Sequence, residues 1–580
     1  MFFYGAAGHD DSHITYSAVQ QLNNTGYILN TNGAFVEQGS SLLHVLLLST
    51  FSQIFEALPL LEQIKLPDIG FIFSLLFAIA CLPVAQHIAT HLSLQHPTLI
   101  HITLLTSLCF SYWATGGLET SLVAFTILCY VTSSFTWLNH LTHDVQKTCL
   151  TSKLSTFTQY VIYCISACAL IAVRPENIAV SLCYILAVFT AITCAMHNFS
   201  QENTYKILIK YAILSTLPLL ISFALISYWR LETFGLYFPQ PVAAKASGLS
   251  LQHILFGLAY FPYSSQLSLI LLSLNAVIAA LLLLIKPKAL TSHQLLLICC
   301  LSFCASYLAF IIFSGGDWML GGRFFTHIAP LLLLIALCYI QQSQYTRKLT
   351  VSLIGLLSIE SLIFSYTLST GIPANKTEQT LAQFNRLNIN TSHYAWSELH
   401  NSVHLLDILF VNALKPIIQN IQNQIKQSDK VTIASVQMGM TPYHLNQLYP
   451  SQLYFIDMRG LSSQELSQCN AFDTFARRQT GIYVRHDQYI KAAQQQNTCN
   501  LPLPDIVYDL ASHSKALHKR SMGHLQELGY TVIWQQSGGI SHGLQVGRVS
   551  ATAYIAVSNK IYEQLQPELQ QRQQVFSYVY

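Results

Sequence analysis

Ile69-Gly-Phe-Ile-Phe-Ser-Leu-Leu-Phe-Ala-Ile-Ala-Cys-Leu-Pro-Val-Ala-Gln-His-Ile-Ala-Thr-His91 contains no aspartate, glutamate, lysine or arginine from end to end. A helix needs about 20 such residues to cross the hydrocarbon core of a bilayer. Comparable runs follow at roughly 97–115, 117–138, 155–173, 177–196, 206–228, 264–286, 293–314, 323–342 and 349–371. Ten spans are therefore expected.

The composition agrees. Charged residues make up 9% of the 580 residues and hydrophobic ones 52%, with a mean hydropathy of +0.41. An ordinary soluble domain carries about a quarter charged residues. The excess stops near residue 372, so the expected organisation is a membrane region, 1–371, and a polar domain, 372–580. Net charge is +3 with no basic run, which argues against nucleic acid. Twelve of the fourteen cysteines precede residue 372, where cysteine acts as a small hydrophobe; Cys469 and Cys499 stand apart and would pair or stay free thiols.

Residues 40–58 are apolar in a different way. Ser49, Ser52, Gln53 and Glu56 recur at helical spacing against Leu43, Leu47, Phe51, Ile54 and Leu58, an amphipathic pattern suited to the membrane surface. With this segment lying flat and the N-terminus outside, the loops holding Lys147 and Lys153, Lys206, Lys286 and Lys288, and Arg347 and Lys348 all face the cytoplasm. A spanning 40–58 would turn every one of them outward. The flat reading puts both chain ends and the polar domain outside. It also gathers Asp10-Asp11, Glu37, Glu119, Arg174, Glu176, the 229–252 loop, Asp317 and Arg323 on that side. Charges kept beside a membrane are costly and functional.

The polar domain alternates short apolar runs with helical stretches. Val431–Val436, Leu453–Ile456, Ile506–Tyr508, Thr531–Trp534 and Tyr554–Val557 read as strands, 376–427 as mostly helical and 562–574 as a closing helix. A small α/β domain is expected. There is no Gly-x-Ser-x-Gly nucleophile turn and no phosphate-binding Gly-x-x-x-x-Gly-Lys loop. The 22 histidines show no metal-ligand spacing along the chain.

Asp10-Asp11-Ser12-His13-Ile14-Thr15-Tyr16, Gly26-Tyr27-Ile28-Leu29-Asn30 and Val36-Glu37-Gln38-Gly39-Ser40-Ser41-Leu42 together resemble the first outer loop (here 5–68) of the C-class (GT-C) glycosyltransferases. Within that class the chain most resembles the terminal arabinofuranosyltransferase and mannosyltransferase-like type. Further segments resemble family elements in the same order: Gly117-Leu118-Glu119-Thr120, Arg174-Pro175-Glu176, Phe238-Pro239-Gln240-Pro241-Val242-Ala243-Ala244-Lys245, Gly315-Gly316-Asp317-Trp318-Met319 with Arg323-Phe324, and Asp457-Met458-Arg459-Gly460-Leu461. The chain departs from the family at Ser17, where an Arg stands, at Gln240-Pro241, in place of Asn-Thr, and at Leu320, in place of Pro. The family also carries a membrane helix before the Asp pair. Met1-Phe2-Phe3-Tyr4 is then the expected end of that span, and an intact version would have eleven.

The resemblance implies a membrane hexosyl- or pentosyltransferase with a polyprenyl-phosphate sugar as donor and a glycan or lipid as acceptor. It would act with inversion on the outer, periplasmic side of the bacterial cytoplasmic membrane. Such chemistry needs a base at the acceptor hydroxyl and positive charge at the departing phosphate. Asp10, with Asp11 beside it, is implied for the first. Lys245, Arg323 and Arg174 are implied for the second, and Glu37, Glu119, Asp317 and Trp318 for the substrates. No cofactor is fixed; an ion held by Asp10 and Asp11 would be Mg or Mn, which take oxygen ligands. Blander accounts stand beside these: Arg174 pairing with Glu119 or Glu176, Glu37 as a polar boundary, Trp318 in the interfacial aromatic belt. A transporter or a non-enzymatic envelope scaffold is the alternative function. No internal repeat of the kind transporters carry is visible.

Overall fold

The computed structural model describes residues 10–59, 61–146, 153–196, 202–245, 250–263, 266–285, 291–317, 319, 321–371, 394–399, 405–423, 430–464, 466, 469, 477–478, 481–482, 484–495, 500–511, 523–538 and 551–565. The expected roles of Trp318, Leu320, Cys499 and most of the closing helix fall outside them, as does the expected boundary after residue 371.

Helix α1 (Asp10–Thr25) is followed by α2 (Leu42–Glu56) and then by a bundle: α3 (Leu66–His91), α4 (Leu99–Thr106), α5 (Leu108–Trp113), α6 (Thr120–Gln146), α7 (Lys153–Val173), α8 (Asn177–Met196), α9 (Glu202–Phe234), α10 (Gln240–Lys245), α11 (Leu251–Tyr263), α12 (Leu267–Ile285), α13 (Ser292–Phe313), α14 (Arg323–Gln341) and α15 (Thr346–Gly371). Among the described residues seven helices are long and apolar enough to cross a membrane: α3, most of α6 and α7, α8, α9, α13 and α14. The expected spans at 264–286 and 349–371 are helical as α12 and α15. The expected span at 97–115 is not one helix. It breaks at Ser107, whose ψ of 119° is extended. Nearby hydroxyls compete with the ladder: Thr103 and Thr106 bond back to Ile100 and Ile102 carbonyls, and Thr326 donates across to Cys109 O at 3.0 Å.

The bundle is apolar on its rim, with Leu186 about 70% exposed, and packed at its axis. Helix α14 is that axis. Every residue from Arg323 to Cys338 is buried, as a helix enclosed on all sides must be.

Helix α2 turns its Ser face inward. Ser49 donates to Asn23 at 2.5 Å and Asn23 donates to Ser52 at 2.9 Å, while Leu46, Ile54 and Leu58 stand exposed. The amphipathic segment thus uses its small hydroxyls to hold α1, packs Leu43, Leu47 and Phe51 on the bundle, and leaves only its outer edge uncovered.

The C-terminal part has α16 (Trp396–Leu399), α17 (Leu405–Gln422), β1 (Val431–Ser435), α18 (Met440–Leu448), β2 (Leu453–Asp457), β3 (Arg477–Arg478), β4 (Gly481–Ile482), α19 (His486–Gln494), β5 (Ile506–Ala511), β6 (Tyr530–Gly538) and β7 (Ala551–Ser558). All five expected strands are present. They form one sheet ordered β2-β1-β5-β7-β6, parallel on the β2-β1-β5 side and antiparallel beyond. One face packs on α17 and the other on α19, giving an α/β layer structure. The β3–β4 hairpin had no sequence signal. Cys469 is disulfide-bonded.

This sheet is fastened to the first loop by asparagines. Asn32 donates to Phe455 O at 2.8 Å and accepts from Phe455 N at 2.7 Å, so one carboxamide pairs with edge strand β2 as a neighbouring strand would. Asn30 reaches Ser462 O, and Asn446 reaches Thr31 O.

Candidate active site

Helix α1 begins with the acidic pair, and its position comes from Tyr16 two turns on. Tyr16 lies in a cradle of Gly70 and Gly117, where a Cβ on either would overlap the phenol oxygen; Gly117 also has φ +64°. The Gly-Leu-Glu-Thr turn thereby seats α1, which no spacing rule discloses.

The two carboxylates face different partners. Asp10 Oδ1 accepts from Met440 N at 2.6 Å and Oδ2 from Gly439 N at 3.1 Å, so it caps α18. Gly439 is required there, since a Cβ would run into the Asp10 carbonyl oxygen. Burial pushes the Asp10 carboxyl up to about 7, against the pull of the two amides. Asp11 keeps 31% of its side chain exposed and lies 4.0 Å from Arg323 Nη1. Burial raises its carboxyl too, with Arg323 and Lys245 drawing it back.

Arg323 opens α14. Its Nε and Nη2 donate to Asp317 at 2.7 and 3.1 Å, a bidentate fork that aims Nη1 at Asp11. Gly322, with φ +68°, makes the sharp entry into α14. Lys245 ends α10 and is lowered by burial, while Asp11 and Asp317 raise it. These carboxylates are the ones that face it most strongly.

Arg174 bonds Glu119 tightly and Glu176 at 3.2 Å. Burial works to raise the Glu119 carboxyl, but Arg174 and Arg323 bring it down to about 2. The guanidiniums of Arg174 and Arg323 lie over the Phe324 ring, at 5.9 and 5.4 Å from its centre. Asp11, Arg323, Asp317, Arg174, Glu119 and Lys245 therefore form one electrostatically linked group. Glu37 stands outside it, locked to Arg230 by bonds of 2.6 and 2.9 Å, both side chains buried.

Two motifs far apart in sequence meet at the rim. Asp457 folds its turn by accepting from Arg459 N and Ser462 N, and the buried carbonyls of Gly460 and Ser463 both accept from Gln240. Gln240, where the resembled family has Asn, thereby ties the loop carrying Lys245 to the C-terminal sheet.

A further cluster had no sequence signal. His13, Glu398 and His444 come together in a fully buried group from three elements. Their separations along the chain, 385 and 46 residues, account for its invisibility in the sequence.

As for which residues could hold an ion, Asp11 is the part-exposed member of the acidic pair, while each oxygen of Asp10 is engaged by one amide.

Two solved structures align with nearly the whole chain. ArnT from Cupriavidus metallidurans in the apo state matches at 11% identity over 96% of this chain and 95% of that one, with a TM-score of 0.42. ArnT from the same organism bound to undecaprenyl phosphate matches at 11% identity over 95% and 94%, with a TM-score of 0.45. No family model and no curated protein matches the chain. A likeness at these scores decides nothing about activity, and the chemistry rests on the side chains.

Proposed function

We propose that this chain is a membrane glycosyltransferase. It moves a sugar from a polyprenyl-phosphate donor to a glycan or lipid acceptor on the outer side of the cytoplasmic membrane. The observation that carries the reading is the part-exposed Asp11 carboxylate facing Arg323 Nη1 beside Lys245, at the edge of an apolar bundle.

The reaction asks for those groups. The acceptor hydroxyl attacks the anomeric carbon, its O–H proton passes to Asp11, and the bond from that carbon to the phosphate oxygen breaks with inversion. The departing polyprenyl phosphate gains one negative charge. Arg323 Nη1 and Lys245 meet it in a partly desolvated setting, where such charges act strongly. Asp317 holds Arg323 by its other two donors. Glu119 and Arg174 fix the ground beneath, and Asp10 positions Asp11 by holding α1 against α18. Asp11 replaces Asp10 as the base in this reading, because its carboxylate is part-exposed and faces Arg323, while each oxygen of Asp10 accepts an amide at the start of α18. The Cys469 disulfide fits an oxidising compartment and supports the outward placement.

The test is a mass profile of envelope glycans in a deletion strain complemented with wild type, Asp11→Asn or Asp10→Asn. The reading expects a lost sugar that wild type restores and Asp11→Asn does not. Full restoration by Asp11→Asn sinks the assignment of the base. An unchanged glycan profile on deletion sinks the transferase reading and favours the transporter or scaffold.

A further inference from the structure

Glu398 is 1% exposed, and its Oε1 faces two imidazole nitrogens at once: His13 Nε2 at 2.7 Å and His444 Nε2 at 2.8 Å. Its other oxygen accepts from Ala395 N at 2.5 Å. No arginine or lysine contacts it among the described residues. A carboxylate removed from water costs several kcal/mol unless a full opposite charge answers it. The two imidazoles answer it only by taking up protons themselves, whereas a divalent ion held by all three groups would answer it in full.

We infer that His13, Glu398 and His444 form a divalent-metal site of the zinc class. Two histidines and one glutamate are a common zinc donor set, with the fourth position left to water. The three donor atoms lie within 4.8 Å of one another. Zinc bonds of about 2.0–2.2 Å place tetrahedral donors about 3.3 Å apart, so each imidazole nitrogen would move about half an ångström away from Glu398 Oε1 and the two nitrogens would settle about 3.3 Å from each other. The outer shell is already built. The Ala395 amide fixes the Glu398 rotamer. Tyr16 and Tyr443 pack edge-on against His13 at 5.1 and 5.5 Å, and Tyr394 against His444 at 4.8 Å. These rings hold the two imidazoles in place, and Ser12 Oγ lies 3.4 Å from His13 Nδ1, the ring nitrogen turned away from Glu398.

The ligands come from α1, α16 and α18. The ion would therefore join the first loop to the C-terminal part, and α16 is held at the spot by Lys65 Nζ on Tyr394 O and by Asp68 on Ser397 N. His13 follows the acidic pair on the same helix, so the ion sets where that pair sits. This role is structural and independent of the glycosyl-transfer reading.

The experiment is elemental analysis of the full chain purified in detergent, followed by removal of metal with a chelator and reloading with zinc, with melting temperature as readout. Zinc at about one ion per chain, and a melting temperature that falls by about 4 °C or more on chelation and returns with zinc, is the expected result. Glu398→Gln and His444→Ala should lose the ion and the chelator response together. If either variant does not fold, the chelation and reloading of wild type decides alone. A wild-type chain without stoichiometric metal, whose melting temperature ignores both chelator and zinc, overturns the site and leaves a protonated histidine pair as the partner of Glu398.

Discussion

Asp10 and Asp11 are neighbours with different surroundings: Asp10, the base expected from the resemblance, caps α18, while Asp11, the base proposed above, faces Arg323. The pair stood out as chemistry-bearing, but its division of labour depends on Gly439 and Met440, more than four hundred residues away. Asp11→Asn should lower turnover by at least about 100-fold while leaving the melting temperature close to wild type, since its carboxylate is part-exposed and a general base contributes on that scale. Asp10 gives a pH signature. Its carboxyl is raised by burial, with Asp11 and Asp457 adding to the effect and Asp407 facing it as well. The folded chain thus holds this proton more tightly than the unfolded one. The stability it provides is complete below the ordinary value of 3.8 and is lost as pH climbs through about 7. Melting curves of Asp10→Asn and wild type should accordingly diverge in favour of the variant between pH 5 and pH 8. Divergence in the other direction would mean that the ionised form is what the start of α18 prefers.

Elements were read from sequence as well as their periodicity allowed. The β1, β2, β5, β6 and β7 strands announced themselves as bounded apolar runs, and α3 as an uncharged stretch. The break at Ser107 did not, because hydroxyls that bond back to the helix leave the apolar pattern intact. The inward Ser49 and Ser52 were also unforeseen; periodicity finds two faces of a helix but not which one meets the protein. Arg230 was not singled out either: the expected 229–252 loop holds it, whereas it lies near the end of α9, and its bidentate bond to Glu37 joins that helix to the first loop. Arg230→Met should cost about 3–5 kcal/mol by stranding a buried carboxylate, and adding Glu37→Gln should recover part of it. Thermal melts of the two variants check this; equal losses would show that the pair is not coupled. Gly117→Ala should likewise lower the melting temperature, because its added methyl meets Tyr16 in a backbone conformation that alanine resists.

At the scale of the molecule, composition alone separates a membrane bundle from an α/β part, since desolvation sorts charged from apolar chain. The grip of one on the other was out of reach, being made of scattered side chains such as Asn32, Gln240, Asp10, Lys65 and Asp68 that occur anywhere in polar sequence. Orientation is testable directly. A cysteine placed at Lys348 should react with a membrane-impermeant maleimide only after cells are opened, and one placed at Asn423 should react in intact cells. Reaction of Lys348→Cys from outside would invert the topology.

The union of Asp10 with α18 has a consequence for biosynthesis. Asp10 on α1 leaves the ribosome 429 and 430 positions ahead of its partners at 439 and 440. At about 5–20 residues per second that delay is roughly 20–90 s. Through all of it the acidic pair has no lid and no fixed orientation. On the proposed reading, a chain that stops before residue 439 can insert its bundle and still lack a placed base, so synthesis of α18 completes the site.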